Sequence, residues 1–103
     1  MNIQINTDHN IHGNEALISK FSSAIESELS RMSDHITSVQ VHLSDDNGDK
    51  KGKTDKRCMI EARLEGRQPI VVIDRAATLN QALYSSIDKL LRKLASILGR
   101  QNN

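Results

Sequence analysis

The sequence predicts an α+β fold of order βαβββα: a four-stranded, mainly antiparallel sheet with two helices on one face. Three observations carry this. Between Ile36 and Ile73 three strand-like runs follow one another, ITSVQVHL, KRCMIEARLEG and PIVVI. In the middle run Cys58, Ile60, Ala62 and Leu64 alternate with Arg57, Met59, Glu61, Arg63 and Glu65, the period-two pattern of a strand with one packed and one wet face. Two further segments have a helical period, and helices segregated to one face of such a sheet define an α+β layer fold.

Taken in order, Asn2 to Asn6 alternates, with Ile3 and Ile5 on one side and Gln4 on the other, and is a short first strand. Thr7 to Gly13 is polar, ends in glycine and is a loop. From Asn14, an expected N-cap followed by Glu15 for the helix dipole, a helical stripe begins. Leu17, Phe21, Ala24, Ile25, Leu29 and Met32 recur at spacings of three and four, and Ser33-Asp34-His35 closes the helix. The second strand places Val39, Val41 and Leu43 opposite Gln40 and His42. SDDNGDKKGKTDK has no apolar residue and is expected to be a long exposed hairpin loop. Gly66-Arg67-Gln68-Pro69 forms a tight turn, and Pro69 opens the fourth strand, where a missing N–H does little harm. Ile70 to Ile73 is apolar on both parities, so the pattern does not assign its faces. In the last helix Thr78 and Gln81 make a capping-box signature. Leu79, Leu83, Ile87, Leu90, Leu94 and Ile97 form its stripe, with Gly99 as the expected stop and QNN as a fraying tail.

The 103 residues suit a single domain, 1–103, with an ordered core of about 1–99 and no need of metal or disulfide staples. No apolar run approaches a membrane span, and the N-terminus has neither the basic start nor the apolar block of a secretory signal. The single cysteine, Cys58, falls on the packed face of its strand and acts as a small hydrophobe. These features fit a cytoplasmic protein. The formal net charge is +1, far from the excess expected of a surface that grips nucleic acid everywhere. Phe21 and Tyr84 are the only aromatic residues, which leaves phosphate and shape contacts rather than base stacking as the way to hold RNA.

Chemistry finds little to use. His9 and His12 stand three apart beside Asp8 without the further ligands of a metal site. The acidic loop lacks the spacing and closing glutamate of an EF-hand. There is no nucleophile elbow, P-loop or dinucleotide turn, and the loop aspartates Asp45, Asp46, Asp49 and Asp55 are poor ground for acid–base work. The expectation is therefore no enzyme, no metal and no small-molecule substrate. The cations are more informative. Lys89, Lys93 and Arg100 project along one flank of the last helix, about a quarter turn from its apolar stripe, and Arg92 points away from the core. Arg57 and Arg63 lie on the open sheet face beside Glu61 and Glu65, and Lys50, Lys51, Lys53 and Lys56 lie in the loop. Such a flank on a small protein is more often a solvated face than a binding site, so the pattern alone assigns no RNA site.

These residues resemble a known family, the short ribosome hibernation-promoting factors and ribosome-associated inhibitors, also called sigma-54 modulation proteins. The resemblance spans Met1 to about Arg100. It rests on the element order, on VQVHLSDDNGDKKGKTDKRCMIEARLEGRQPIVV and on ALYSSIDKLLRKL. In the latter, Tyr84, Ile87, Asp88, Lys93 and Leu94 fit the family's Tyr-Ala-Ala-Ile-Asp helix and its later Lys-Leu pair. Where the family commonly carries Arg-Gln-Leu and a lysine-rich tail, this chain has Ala95, Ser96, Ile97 and Leu98, with only Arg100 beyond. The resemblance implies a fold similar to a double-stranded RNA-binding domain. It implies a non-enzymatic, cofactor-free factor that binds the small ribosomal subunit and its rRNA in the messenger and transfer RNA channel. Translation would be blocked there under stress or in stationary phase. Lys89, Arg92, Lys93 and Arg100, assisted by Arg57, Arg63 and Lys56, are the expected phosphate contacts. No oligomer is required, and pairing of ribosomes would need another factor. The alternative is a protein-interaction regulator of the same fold that no longer binds the ribosome, suggested by the near-neutral charge and the apolar fourth strand. A minor third reading is a shape-reading binder of RNA duplexes.

Overall fold

Alternating apolar residues in four segments of this chain build one sheet, and two helical stripes roof it. The computed structural model describes residues 1–9, 11, 15–46 and 55–101, with Arg100 and Gln101 as backbone only. Its elements are β1 (Asn2–Thr7), α1 (Glu15–Glu28), a 3-10 helix (Ser30–His35), β2 (Ile36–Asp45), β3 (Lys56–Leu64), β4 (Ile70–Ala76) and α2 (Leu79–Gln101). The strands lie in the order β1-β2-β3-β4. β1 runs parallel to β2, joined through α1, and the other two pairings are antiparallel. The predicted α+β class and βαβββα order are those of the structure.

Register explains the faces. Ile5, Val41, Ile60 and Val72 stand in one row across all four strands on the helix-covered side. The next row, Asn6, His42, Met59 and Ile73, is on the open side. This resolves the ambiguous fourth strand: Ile70 and Val72 are buried, while Val71 and Ile73 are exposed. Phe21 and Ile25 of α1, Leu29 just after it, and Leu83, Ile87, Leu90 and Leu94 of α2 fill the core from above. Each fully buried side chain of this size is worth about 1.5–3 kcal/mol. Ser86 is also buried in this stripe, and its hydroxyl donates to the Cys58 carbonyl at 3.1 Å, so the polar atom is satisfied. Burial pushes the Cys58 thiol up to about 11.

Several boundaries differ from expectation. α1 ends at Glu28, and the stripe's last member, Met32, lies in the 3-10 helix. Serine hydroxyls compete with the helical ladder, and here Ser30 Oγ donates to the Ser27 carbonyl at 2.9 Å. β2 and β4 run on to Asp45 and Ala76. Gly99 does not stop α2, which continues to Gln101. The positive φ that favours glycine occurs instead at Gly66 (φ 73°), in the turn between β3 and β4. Thr78 does cap α2: its hydroxyl accepts the Gln81 N–H at 3.1 Å. The predicted cap Asn14 and the middle of the long hairpin loop, with Lys50, Lys51, Lys53 and Asp49, lie outside the described residues.

Leu90→Ala is expected to cost about 2–5 kcal/mol in urea unfolding because it leaves a cavity between α2 and the sheet, and Thr78→Ala about 1 kcal/mol through the lost cap. Cys58 should react with a thiol reagent at neutral pH only after denaturant is added. Rapid labelling of the native protein would show that the strand's packed face is open.

Candidate nucleic-acid interface

The stripe of α2 lies on β3 and β4, so the flank a quarter turn away overhangs the edge of β4. Lys89 and Lys93 occupy that flank. Lys89 Nζ donates to the Ile73 carbonyl at 3.0 Å, and Lys93 Nζ to the Val71 carbonyl at 3.3 Å. These two carbonyls point out of the sheet, because among the described residues β4 pairs only with β3, on its other side. Lys89 also lies 3.5 Å from Asp74 Oδ1. Asp74 is held below the ordinary carboxylate range, first by a hydrogen bond from Ser85 and further by the Arg75 N–H and the Lys89 charge.

Arg92 lies one position back on the same helix and contacts Asp88 Oδ2 at 2.6 Å, its side chain 77% exposed. An exposed i,i+4 pair of this kind contributes at most a few tenths of a kcal/mol, about 0.3–0.5. It is therefore easily exchanged for another anion. Lys89, Arg92 and Lys93 line one shallow groove with Val71, Val72 and Ile73. Arg100 is in the last turn of α2, and its side chain lies outside the described residues.

The sheet cations divide. Arg57 is half-buried on the open face and has no ion-pair partner among the described residues. Arg75 stands directly across from it on β4 and pairs with Asp46. Arg75 was not foreseen, because the fourth strand was read as ending at Ile73. Ile70 to Ile73 is apolar on both parities, so only the pairing with β3 places Arg75 on the open face. Arg63 sits further along β3, 3.9 Å from Glu61, in a row that meets Ser38 rather than the α2 groove.

Lys56 belongs elsewhere. It has the parity of the packed face, and its ammonium lies 2.9 Å from Asp45 and 3.5 Å from Asp55. Both aspartates are buried, although the sequence placed them in an exposed loop. Asp45 continues the inward parity of Val39, Val41 and Leu43, and its N–H donates to Asp8 Oδ2 at 3.1 Å. The hydrogen bond to Asp45 is the main cause of the raised Lys56 pKa. Lys56 thus closes the root of the hairpin. Among the described residues no group of three His, Cys, Asp or Glu side chains is placed to hold a metal ion, and no helix is long and apolar enough to cross a membrane.

The family model described as "Sigma 54 modulation protein / S30EA ribosomal protein" matches residues 4–102. The chain belongs to this family. S30EA proteins are ribosome-associated factors and are not known as enzymes. Among solved structures, this S30EA chain is similar to the N-terminal domain of Protein Y from Thermus thermophilus. That match has 25% identity and a TM-score of 0.70, and it covers 94% of this chain and 99% of that one. A ribosomal subunit interface protein from Coxiella burnetii shares the fold at 19% identity and a TM-score of 0.72, over 96% and 99% of the two chains. No curated protein matches the sequence.

Because its folded-state pKa is depressed, Asp74 adds stability above the unfolded carboxylate pKa, and that stability is lost as pH falls through the folded value. Asp74→Asn should therefore be less stable than wild type at neutral pH. The difference should vanish in strong acid, as read by urea unfolding at a series of pH values. A gap that persists in acid would assign the loss to packing rather than charge.

Proposed function

We propose that this S30EA protein binds the small ribosomal subunit through rRNA phosphates, in the channel used by messenger and transfer RNA, and inhibits translation there during stress or stationary phase. The observation that carries this reading is the α2 groove. Lys89, Arg92 and Lys93 stand together on one flank, presented by a helix whose opposite side is locked into the core. Arg57 and Arg75 extend the positive ground onto the open sheet face. Arg100 follows on the same helix flank by spacing. Arg63 is a peripheral contact, and Lys56 supports the hairpin while contributing less to RNA. Family membership and the likeness to Protein Y's N-terminal domain support a ribosomal partner. The work is done by the single domain 1–103 in the cytoplasm, with no cofactor or metal, no small-molecule substrate and no required oligomer.

The Arg92–Asp88 pair is exposed, so exchanging that carboxylate for a phosphate costs little. Each phosphate neutralised adds about 0.9 to the slope of log affinity against log salt, by duplex-derived theory. Lys89→Glu with Lys93→Glu should abolish cosedimentation with small subunits in a sucrose gradient while leaving the circular dichroism of the fold intact. Undiminished cosedimentation would remove this flank from the interface.

The exposure of Val71 and Ile73 on β4, 43% and 42%, favours a second reading, a regulator that engages proteins and has left the ribosome. Pull-downs free of rRNA at modest salt would support it over the first.

A further inference from the structure

The geometry points to the outer edge of β4 as a docking site for an extended acidic peptide, which adds to the sheet as a fifth strand beside Val71 and Ile73. This does not depend on whether α2 also meets rRNA.

Among the described residues β4 has a neighbouring strand on one side only. In an antiparallel pair, alternate residues turn their backbone groups toward the partner strand, and the others turn theirs away. The lysine contacts show which is which: the carbonyls of Val71 and Ile73 face out. Their N–H groups have no protein acceptor among the described residues. A free edge is commonly blunted by proline, a bulge, an inward charge or lysines, and here Asp74 points inward and the two α2 lysines cap the edge. Between Ile70 and Ala76 there is no proline, and the β3–β4 register is unbroken. Two of its open-face side chains, Val71 and Ile73, are apolar and exposed, with the charged Arg75 beyond them. The groove continues past Pro69 and Ile70 to Ser96 and Ile97, giving a trough along the strand with α2 as its far wall.

The two lysines identify the occupant. They satisfy the outward carbonyls as removable ammonium caps. An incoming strand donates its own N–H groups to the Val71 and Ile73 carbonyls and offers its carbonyls to their N–H groups. The displaced ammoniums then need anions, and acidic side chains on the peptide supply them within reach. Lys93 has no carboxylate partner among the described residues and gains the most. A second copy of this chain fits poorly, because edge-to-edge pairing sets Lys89 and Lys93 of both copies across one seam, where the anions it brings, Asp74 and Asp88, are already engaged by Lys89 and Arg92. RNA satisfies the lysines but leaves the strand's N–H groups and its apolar side chains unused.

The probe is a fluorescent peptide of alternating valine and glutamate, titrated by anisotropy against the full chain. Wild type should bind it saturably. The same peptide with alternate backbone nitrogens methylated keeps its charge but loses its strand edge, and should bind at least about tenfold more weakly. Ile73→Pro should produce a comparable loss, because it removes only an outward N–H and is tolerated at a sheet edge. Equal affinity for the methylated peptide would overturn strand addition in favour of bare charge attraction, the behaviour expected if the groove is an RNA site alone. No binding by wild type would also overturn it. A concentration-dependent dimer of the free chain that is lost in Ile73→Pro would give the edge to a second copy instead.

Discussion

The seating of one apolar stripe on one side of a sheet sets everything else in this molecule. Leu83, Ile87, Leu90 and Leu94 are buried against β3 and β4, and once they are in place α2 has no freedom to roll. A helix advances 3.6 residues per turn, so the flank that carries Lys89 and Lys93 must come down over the margin of β4. The long aliphatic stems of lysine then let each ammonium reach a backbone carbonyl while the stem lies against protein. Hydrophobic packing, which carries no positional information for charge, in this way fixes where charge stands.

Much of the fold was visible in the chain because the alternation and the helical period are local. Cys58 to Leu64 and Leu79 to Ile97 need no tertiary context to show their inward sides. What stayed hidden depends on distant partners. Asp45 and Asp55 look like loop residues by composition, and distant groups help make the burial of that hairpin root tolerable: the Lys56 ammonium beside both carboxylates and the Asp8 carboxylate that accepts the Asp45 N–H. A lone buried carboxylate is unfavourable, so a local rule places it outside. The end of α1 was obscured because Met32 keeps the helical spacing even though the helix has already tightened. Gly99 has no positive φ, and a Cβ built there would meet nothing within 4 Å to demand glycine, so its identity misled as a stop signal.

The candidate site divides in the same way. Lys89, Arg92 and Lys93 are helical neighbours and could be grouped from spacing alone. Arg75 could not, because Ile70 to Ile73 is apolar at every position and the strand's parity emerges only from its pairing with β3. Lys56 reads as a loop cation beside the open-face Arg57, yet it belongs to β3, and one residue of register sends it into an ion-pair cluster and Arg57 onto the open face. The near-neutral total of +1 therefore conceals an uneven distribution. Exposed cations gather around α2 and β4, several with one weakly held carboxylate each, and acids and a lysine are sequestered at the hairpin root.

The parallel pairing of β1 with β2 also governs how the chain is put together. β2, β3 and β4 are joined by hairpins and can align with near neighbours in sequence, and α2 follows directly to cover them. Asn2 must find Ser38 across the whole of α1 and the 3-10 turn, a closure that costs chain entropy before any contact repays it. During synthesis β1 thus has the longest wait for a partner, because Ser38 to Leu43 must be made before it can pair.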